Sequence, residues 1–363
     1  MNNRGWFATS LWGGHRSLFD WGALIGTVMA LIGTAVCAAH PPAWPAMVGG
    51  SVVAGVGLVV LWGRQVLTLG QVLVGAVILR LVYFPLLPGL SDDAFRYIWD
   101  GWVQWHGINP YHFVPSDAAL SSFQTAPIFE KLNSPNYYSV YPPFSQVVFA
   151  IGGLVHGYGW QVSYYVTKGV LVGAEVGSVV LLSRMVEARS LLLYAWNPLV
   201  LLETAGQGHT EALLMLFLLG GVWAVRQGHG RIASLAVAGA GLVKLYPFLF
   251  GPLLVRRFGW SAVWPGALLT GVAFGPYMAS YTIPHILASV ELFARLFEFN
   301  AGPYYFVKEV LRWATGQDWS KVLGPAFRTL SLVLIGVVYA VDWRRSLKFD
   351  RSALWILGLF FVL

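Results

Sequence analysis

Ala46-Met47-Val48-Gly49-Gly50-Ser51-Val52-Val53-Ala54-Gly55-Val56-Gly57-Leu58-Val59-Val60-Leu61-Trp62 contains no charged side chain and a single hydroxyl. A helix on the surface of a soluble protein keeps one polar face; this run has none, so its solvent is hydrocarbon. Comparable runs lie on either side, at 19–39 and 66–87, and farther along at 143–158, 162–183, 190–204, 209–225, 231–255, 260–280 and 325–341. A last one starts near 352 and stops at Leu363, short of the ~20 residues that a span needs, so the chain reads as cut within a span. Across all 363 residues 57% are hydrophobic and 11% charged, where soluble chains carry about 25% charged. In lipid every backbone N–H and C=O needs a partner within its own helix or closed barrel. The runs are continuous and do not alternate, which excludes a β-barrel. The predicted fold is therefore all-α: a polytopic transmembrane helical bundle, a single transmembrane domain over 1–363, with no internal repeat.

The net charge is +7, but the cations are scattered in small clusters beside apolar runs. They read as topology signals, and no nucleic-acid partner is expected. Arg4 and Arg16 precede the first span and Arg64 follows the second, which puts the N-terminus in the cytoplasm and the polar segment 88–141 outside. Arg256-Arg257 and Arg344-Arg345 mark later cytoplasmic ends and make 281–324 a second external segment. One stretch conflicts with this scheme: two full spans between 141 and 184 would expose Arg184 and Arg189 outside. The segments at 190–204 and 231–245 are short, and a broken or re-entrant helix in this region is one resolution. Cys37, the only cysteine, excludes a disulfide framework and a thiolate metal site. The basic lead and the run ending Val36-Cys37-Ala38-Ala39 also fit a cleaved signal peptide, although the lead is long and further spans follow.

The external segment 88–141 opens with Ser91-Asp92-Asp93-Ala94-Phe95-Arg96-Tyr97-Ile98-Trp99-Asp100-Gly101-Trp102. As a helix it is amphipathic, with Phe95, Ile98, Trp99, Trp102 and Trp105 on one side and Asp92, Asp93, Arg96 and Asp100 on the other. Such a helix lies in the membrane interface with its carboxylates toward water. Asp92, Arg96 and Asp100 are spaced four apart, so ion pairing along the helix is expected, and Asp92 is placed both to cap it and to pair with Arg96. That leaves Asp93, about 100° around the helix, as the freer base. Asn109-Pro110-Tyr111 and Asn136-Tyr137-Tyr138-Ser139-Val140-Tyr141-Pro142-Pro143 follow, aromatic faces with polar tips that suit a sugar or an interfacial aromatic belt equally.

Ionisable residues at membrane depth are costly and mark function by default. Glu203, His209 and Glu211 cluster around Gly206-Gln207-Gly208 between two apolar runs, where acceptor or headgroup binding is one reading. A metal is the weaker one, since His209 and Glu211 are two apart and do not share a helix face. Lys244 interrupts the run 231–255, either as a phosphate contact or as an anchor reaching to the interface. Arg80, Lys168 and Glu175 are also intramembrane, and Glu175 is expected to pair with one of the two cations. In 281–324, Asn300, Tyr304 and Tyr305 are candidates to line a cavity.

Asp-Asp-x-x-Arg-Tyr-x-Trp-Asp-Gly at 92–101, Asn-Pro-Tyr at 109–111, Tyr-Pro-Pro-x-x-Gln at 141–146, Trp196-Asn197-Pro198-Leu199, Gly208-His209 and Lys244 together resemble the GT-C superfamily of integral membrane glycosyltransferases, in particular the polyprenol-phosphate-mannose-dependent mannosyltransferase branch. The resemblance runs from about 66 to 345. It departs in placing the acidic loop after the third span, where many relatives have it after the first. It implies a GT-C-like bundle in a bacterial cytoplasmic membrane with its active site facing outward. The partners it implies are a polyprenyl-phosphate sugar as donor, a glycan or glycolipid acceptor and membrane lipid. No cofactor is implied, and metal dependence is left open. Carried onto this chain, it implies Asp93, with Asp92, as catalytic residues, and Lys244, Arg96 and Tyr97 at the donor phosphate. Asp100, Asn109, Tyr111, Tyr141 and His209 are implied at the substrates, and Glu203, Asn300 and Tyr304 are added as substrate-binding candidates from their own positions. A sugar on a lipid phosphate already has a good leaving group, so one base and charge stabilisation suffice for an inverting single displacement. The alternative is a transporter or flippase of lipid-linked sugars, which would more often show paired repeats and broken helices at mid-membrane.

Overall fold

The structure, a computed structural model, describes residues 17–40, 43–296 and 302–362. In chain order its helices are α1 (Leu18–Ala38), α2 (Trp44–Arg64), α3 (Leu69–Tyr83), α4 (Asp93–Trp105), α5 (Ser121–Gln124), α6 (Pro143–Gly153), α7 (Trp160–Ser183), α8 (Ala188–Ala195) and α9 (Pro198–Leu201). After a π-helical turn at Leu202–Gly206 come α10 (Glu211–Arg226), α11 (Gly230–Val243), α12 (Gly251–Phe258), α13 (Trp260–Phe274), α14 (Thr282–Leu296), α15 (Gly302–Thr315), α16 (Ser320–Arg345) and α17 (Phe349–Val362). The regular elements of the described residues are thus helical, as the unbroken apolar runs require.

Among the described residues α1, α2, α7 and α16 are long and apolar enough to cross a membrane singly. Pro198–Gly206 and Glu211–Arg226 pass the same test as a pair bent by 117°. The outward side chains of these helices are large and apolar; on α2, Val52, Val56 and Val59 are about 60% exposed. In water that surface would drive association. In a bilayer it is solvated by lipid tails. The chain is a polytopic helical membrane protein.

Contacts divide the chain into two compact units, Met1–Gly107 with Phe123–Ser134 and Ser145–Leu219, and Ile108–Ser122 with Pro135–Phe144 and Gly220–Leu363. In the first unit, Ser17 and Asp20 form a capping box that starts α1, and Arg64 at the end of α2 reaches Asp20 at 2.9 Å. Leu31, Leu58, Leu61, Val72, Leu79, Leu191, Leu192 and Leu201 form its core. Trp196 lies against Gly75, where a methyl group would stand 2.1 Å from the indole, and its Nε1 donates to the Val72 carbonyl at 3.0 Å. Asn197 then caps α9 by accepting from the Leu199 N–H, with Pro198 at the first helical position. The Trp-Asn-Pro-Leu motif is thereby accounted for as the joint between α8 and α9.

Glu175 on α7 takes Arg80 of α3 as its partner. The guanidinium also donates to the carbonyls of Ala76 (2.7 Å) and Ala195 (2.9 Å), so a fully buried cation has its donors used on α3, α7 and α8. That saturation is what makes a buried ion pair tolerable.

The conflict over Arg184 and Arg189 resolves in α6, which has only 11 residues, about 16 Å at 1.5 Å per residue, and does not span. Among the described residues between 141 and 184, only α7 is long and apolar enough to cross a membrane singly. The Arg189 guanidinium accordingly lies 5.9 Å above the Trp62 ring, at the same end of the unit as Arg64. The other end of α7 begins at Trp160, whose ring meets Phe95 at the start of α4. The acidic segment and the arginines thus occupy opposite ends of α7.

In the second unit α11 packs on α13 through Ser234, whose hydroxyl donates to the Val263 carbonyl and accepts from the Gly266 N–H, both at 2.9 Å. Arg256 pairs with Asp342, Arg257 donates to the Leu347 carbonyl at 2.7 Å, and Arg226 meets Asp350 at 2.7 Å. The Arg256-Arg257 and Arg344-Arg345 regions therefore meet at one level, as a shared membrane face requires. The run 231–255 is not one span. It ends as a helix at Val243, Lys244 is extended (φ −142°, ψ 141°), and a 3-10 turn over Tyr246–Phe250 precedes α12. Pro247 and Pro252, which lack an N–H to donate, explain the interruption.

Candidate functional site

The helix expected from Asp92 onward forms, but its surroundings differ from the expectation. Ala94 to Gly101 are all buried, so both sides of α4 are covered and its central polar groups do not face water. Arg96 does not look back to Asp92 as its partner. Its Nε donates forward to Asp100 at 2.8 Å, and Nη1 donates to the Ser134 carbonyl at 3.1 Å. Gln146 Nε2 donates to the other Asp100 oxygen at 3.0 Å, and Gln104 Nε2 donates to Gln146 Oε1 at 2.9 Å. Arg96 and Asp100, placed by the sequence at the donor phosphate and the substrate, are here an internal ion pair that binds α4 to α6. Tyr97 is likewise buried, its ring stacked on Phe149 at 4.4 Å.

This packing is set by two glycines. A methyl group on Gly101 would stand 1.9 Å from the Phe149 carbonyl oxygen, and one on Gly153 2.2 Å from the Gly101 carbonyl oxygen. The backbones of α4 and α6 touch there, which only glycine permits. Trp99 is buried beside Phe123 and Phe129, and Lys131 lies 5.5 Å from both the Phe95 and the Trp160 rings.

The two leading carboxylates stand apart from this network. Asp92 occupies the N-cap position of α4 without a side-chain capping bond, and is exposed. Ser91 Oγ accepts from the Asp93 N–H at 3.3 Å instead. Asp93 is half-buried, with Asn133 Nδ2 at 3.5 Å.

At the break between α9 and α10 the His209 imidazole is hydrogen-bonded to Glu203 and lies in the field of Glu211 and Glu203 and, more weakly, of Asp93. Glu203 sits in the π turn, a one-residue widening that frequently marks functional positions. Its Oε2 is 2.5 Å from His209 Nδ1. Gly208 at φ +74° lets the chain reverse out of the turn. The Gly206 carbonyl, freed by the break, accepts from Tyr164 OH at 2.9 Å and from Lys168 Nζ at 3.0 Å. Lys168 also donates to the Leu86 carbonyl at 2.6 Å. Gln207 Oε1 accepts from the N–H groups of Gly89 and Leu90, both at 3.0 Å, and ties the break to the segment leading into Asp92-Asp93.

The remaining predicted site residues belong to the second unit. Asn109 Oδ1 accepts from the Tyr111 N–H at 3.0 Å while its Nδ2 donates to the Tyr277 carbonyl at 2.8 Å. Tyr111 is wholly buried, its hydroxyl donating to the Tyr141 carbonyl at 2.6 Å and its carbonyl 2.7 Å from His285 Nδ1. Asn109 and Tyr111 therefore act as internal fasteners. Tyr141 is half-buried. Lys244 stands at the C-cap of α11, half-buried. Tyr304 on α15 is buried against Tyr305 and Phe327. Asn300 lies outside the described residues.

Asn133, Gln146, Gln207 and Thr210 were not singled out by the sequence. All are neutral, and nothing in their spacing separates them from ordinary loop or helix polarity, although Gln146 and Gln207 lay within quoted stretches. Among the described residues no group of three or more histidine, cysteine, aspartate or glutamate side chains is arranged to hold a metal ion.

The model of glycosyltransferase family 87 matches residues 139–363. That range includes Glu203, His209 and Lys244 and begins after the Asp92-Asp93 segment. No curated protein and no solved structure matches the chain.

Proposed function

The chain belongs to glycosyltransferase family 87, and from that premise we propose that it moves a sugar, mannose in our reading, from a polyprenyl-phosphate carrier to an acceptor hydroxyl on the non-cytoplasmic face of the membrane. A glycosyltransferase, unlike a transporter, needs a group that takes the acceptor proton. The observation carrying the proposal is the state of the three carboxylates at 92, 93 and 100. Asp100 is neutralised by Arg96, and Asp92 is out in solvent. Asp93 is half-buried, hydrogen-bonded by Asn133, and within electrostatic reach of His209.

In this reading an Asp93 oxygen accepts the proton of the acceptor hydroxyl as the new bond to the anomeric carbon forms. The bond from that carbon to the phosphate oxygen breaks, and the carrier leaves as polyprenyl phosphate with inversion. His209, oriented by Glu203, and Glu203 itself contact the substrates. The outward orientation is supported by the separation of the acidic segment from Arg64 and Arg189, since cations concentrate on the cytoplasmic side. The test is reconstitution of the pure protein with radiolabelled polyprenyl-phosphate mannose, glucose or arabinose and a glycan acceptor. Consumption of a donor with no gradient imposed is expected. Turnover of a nucleotide sugar and of none of the lipid donors would overturn the reading.

A further inference from the structure

Within four consecutive residues at the break between α9 and α10, three buried polar atoms lack a hydrogen-bond partner: Gln207 Nε2, His209 Nε2 and Thr210 Oγ1. Gln207 is 1% exposed and Thr210 0%. Native proteins leave few such atoms, because each costs its full desolvation without compensation. Each of these belongs to a residue already fixed by another of its groups. Gln207 is held through Oε1 by Gly89 and Leu90, His209 through Nδ1 by Glu203, and Thr210 through its backbone carbonyl, which accepts from the N–H groups of Leu213 (3.0 Å) and Leu214 (3.1 Å).

We propose that these three atoms form the subsite for the sugar ring of the lipid-linked donor, and that Gln207 and Thr210 set which sugar is accepted. This rests on the function proposed above. The chemistry separates a sugar from the donor's phosphate. Asp93, Glu203 and Glu211 make the surroundings of His209 acidic. The nearby Lys168 is committed to two carbonyls and to the faces of Phe84, Tyr164 and Tyr165. An anion would be repelled there. A polyol is neutral; its hydroxyls accept from the Gln207 amide and donate to carboxylates. Sites built to hydrogen-bond a hydroxyl also reject analogues that lack or misplace it, since their own groups are then left unpaired.

The test measures binding of the detergent-purified full chain to polyprenyl-phosphate mannose, glucose and arabinose, and to bare polyprenyl phosphate. Thr210→Val keeps the shape and removes the hydroxyl. Gln207→Glu keeps an acceptor for Gly89 and Leu90 and removes the donor. Each variant should weaken the preferred sugar lipid by about fivefold or more, the scale of one hydrogen bond, and leave the bare lipid unchanged. Thr210→Val should melt no lower than wild type, since it removes an unsatisfied hydroxyl, whereas a structural role would lower its melting temperature. Equal weakening of sugar lipid and bare lipid assigns the atoms to the phosphate and overturns the proposal. Unchanged affinity for both, in a protein that still turns over a lipid donor, overturns the subsite and leaves the function standing. A wild-type protein that consumes none of the lipid donors removes the function, and the subsite with it.

Discussion

Gly101 on α4 and Gly153 on α6 are in backbone contact, with a methyl group on Gly153 falling 2.2 Å from the Gly101 carbonyl oxygen. The nearest obstruction at both positions is main chain, which has no rotamer to change, and at Gly153 the Trp105 ring adds to it at 2.6 Å. Gly101→Ala and Gly153→Ala should each cost about 3 kcal/mol or more, at or above the upper end for overpacking, read as a lowered melting temperature in detergent. Gly55→Ala, on the open face of α2 with nothing within 4 Å, should be neutral or stabilising by up to ~1 kcal/mol through helix propensity. Equal behaviour of all three variants would remove the contact from the account.

Asp93→Asn keeps the shape of the side chain and its contact with Asn133 while removing the basic oxygen. Turnover should fall about 100-fold or more with donor affinity retained. Asp92→Asn, at an exposed position without a capping bond, should stay within about threefold of wild type, the modest range expected for surface changes. Glu203→Gln should fall between them, about tenfold down, because it loosens His209 without removing the base. A dead Asp92→Asn beside an active Asp93→Asn reverses the assignment.

Arg80 and Glu175 are both buried, so removing one strands the other. Glu175→Gln should destabilise by about 3 kcal/mol or more, and Arg80→Met with Glu175→Leu together should recover most of that loss. Thermal unfolding in detergent reads both. Additive losses in the double variant would show that the pair does not act as a unit.

Membrane sidedness is measured with single cysteines in a Cys37→Ala background. Ser121 and Lys348 are both exposed. Ser121→Cys should react with an impermeant thiol reagent in intact cells, and Lys348→Cys only after lysis. The opposite pattern inverts the proposed orientation.

What the sequence made legible was governed by composition. α1, α2 and α7 fall on their predicted runs because continuous apolar length is visible residue by residue. The interruption at 206–210 was foreshadowed by the short runs around Gly206 and Gly208. The partner of Arg96 was not legible, since Asp92 and Asp100 stand at the same four-residue spacing on either side of it. Ser134 and Gln146 decide between them, and both come from elsewhere in the chain. Tyr97 and Tyr111 looked like ligand-facing aromatics for a similar reason: sequence reports an aromatic with a polar tip and does not report that Phe149 or the Tyr141 carbonyl already takes it. Asp93 and His209 were each recognisable, but nothing in the sequence says that the charge of one reaches the other.

Gln207 carries a consequence beyond local bracing. The two N–H groups that it accepts belong to the residues leading into Asp92-Asp93, while its own backbone forms the turn that presents His209 and Thr210. Ordering at one end therefore restricts the freedom of the other, and the relation is reciprocal by thermodynamic necessity. A ligand that immobilises the turn lowers the entropic cost of fixing the Asp93 carboxylate. Under the function proposed above, a productive encounter is then expected to be cooperative, with the donor ordering the acceptor's site before any bond is made.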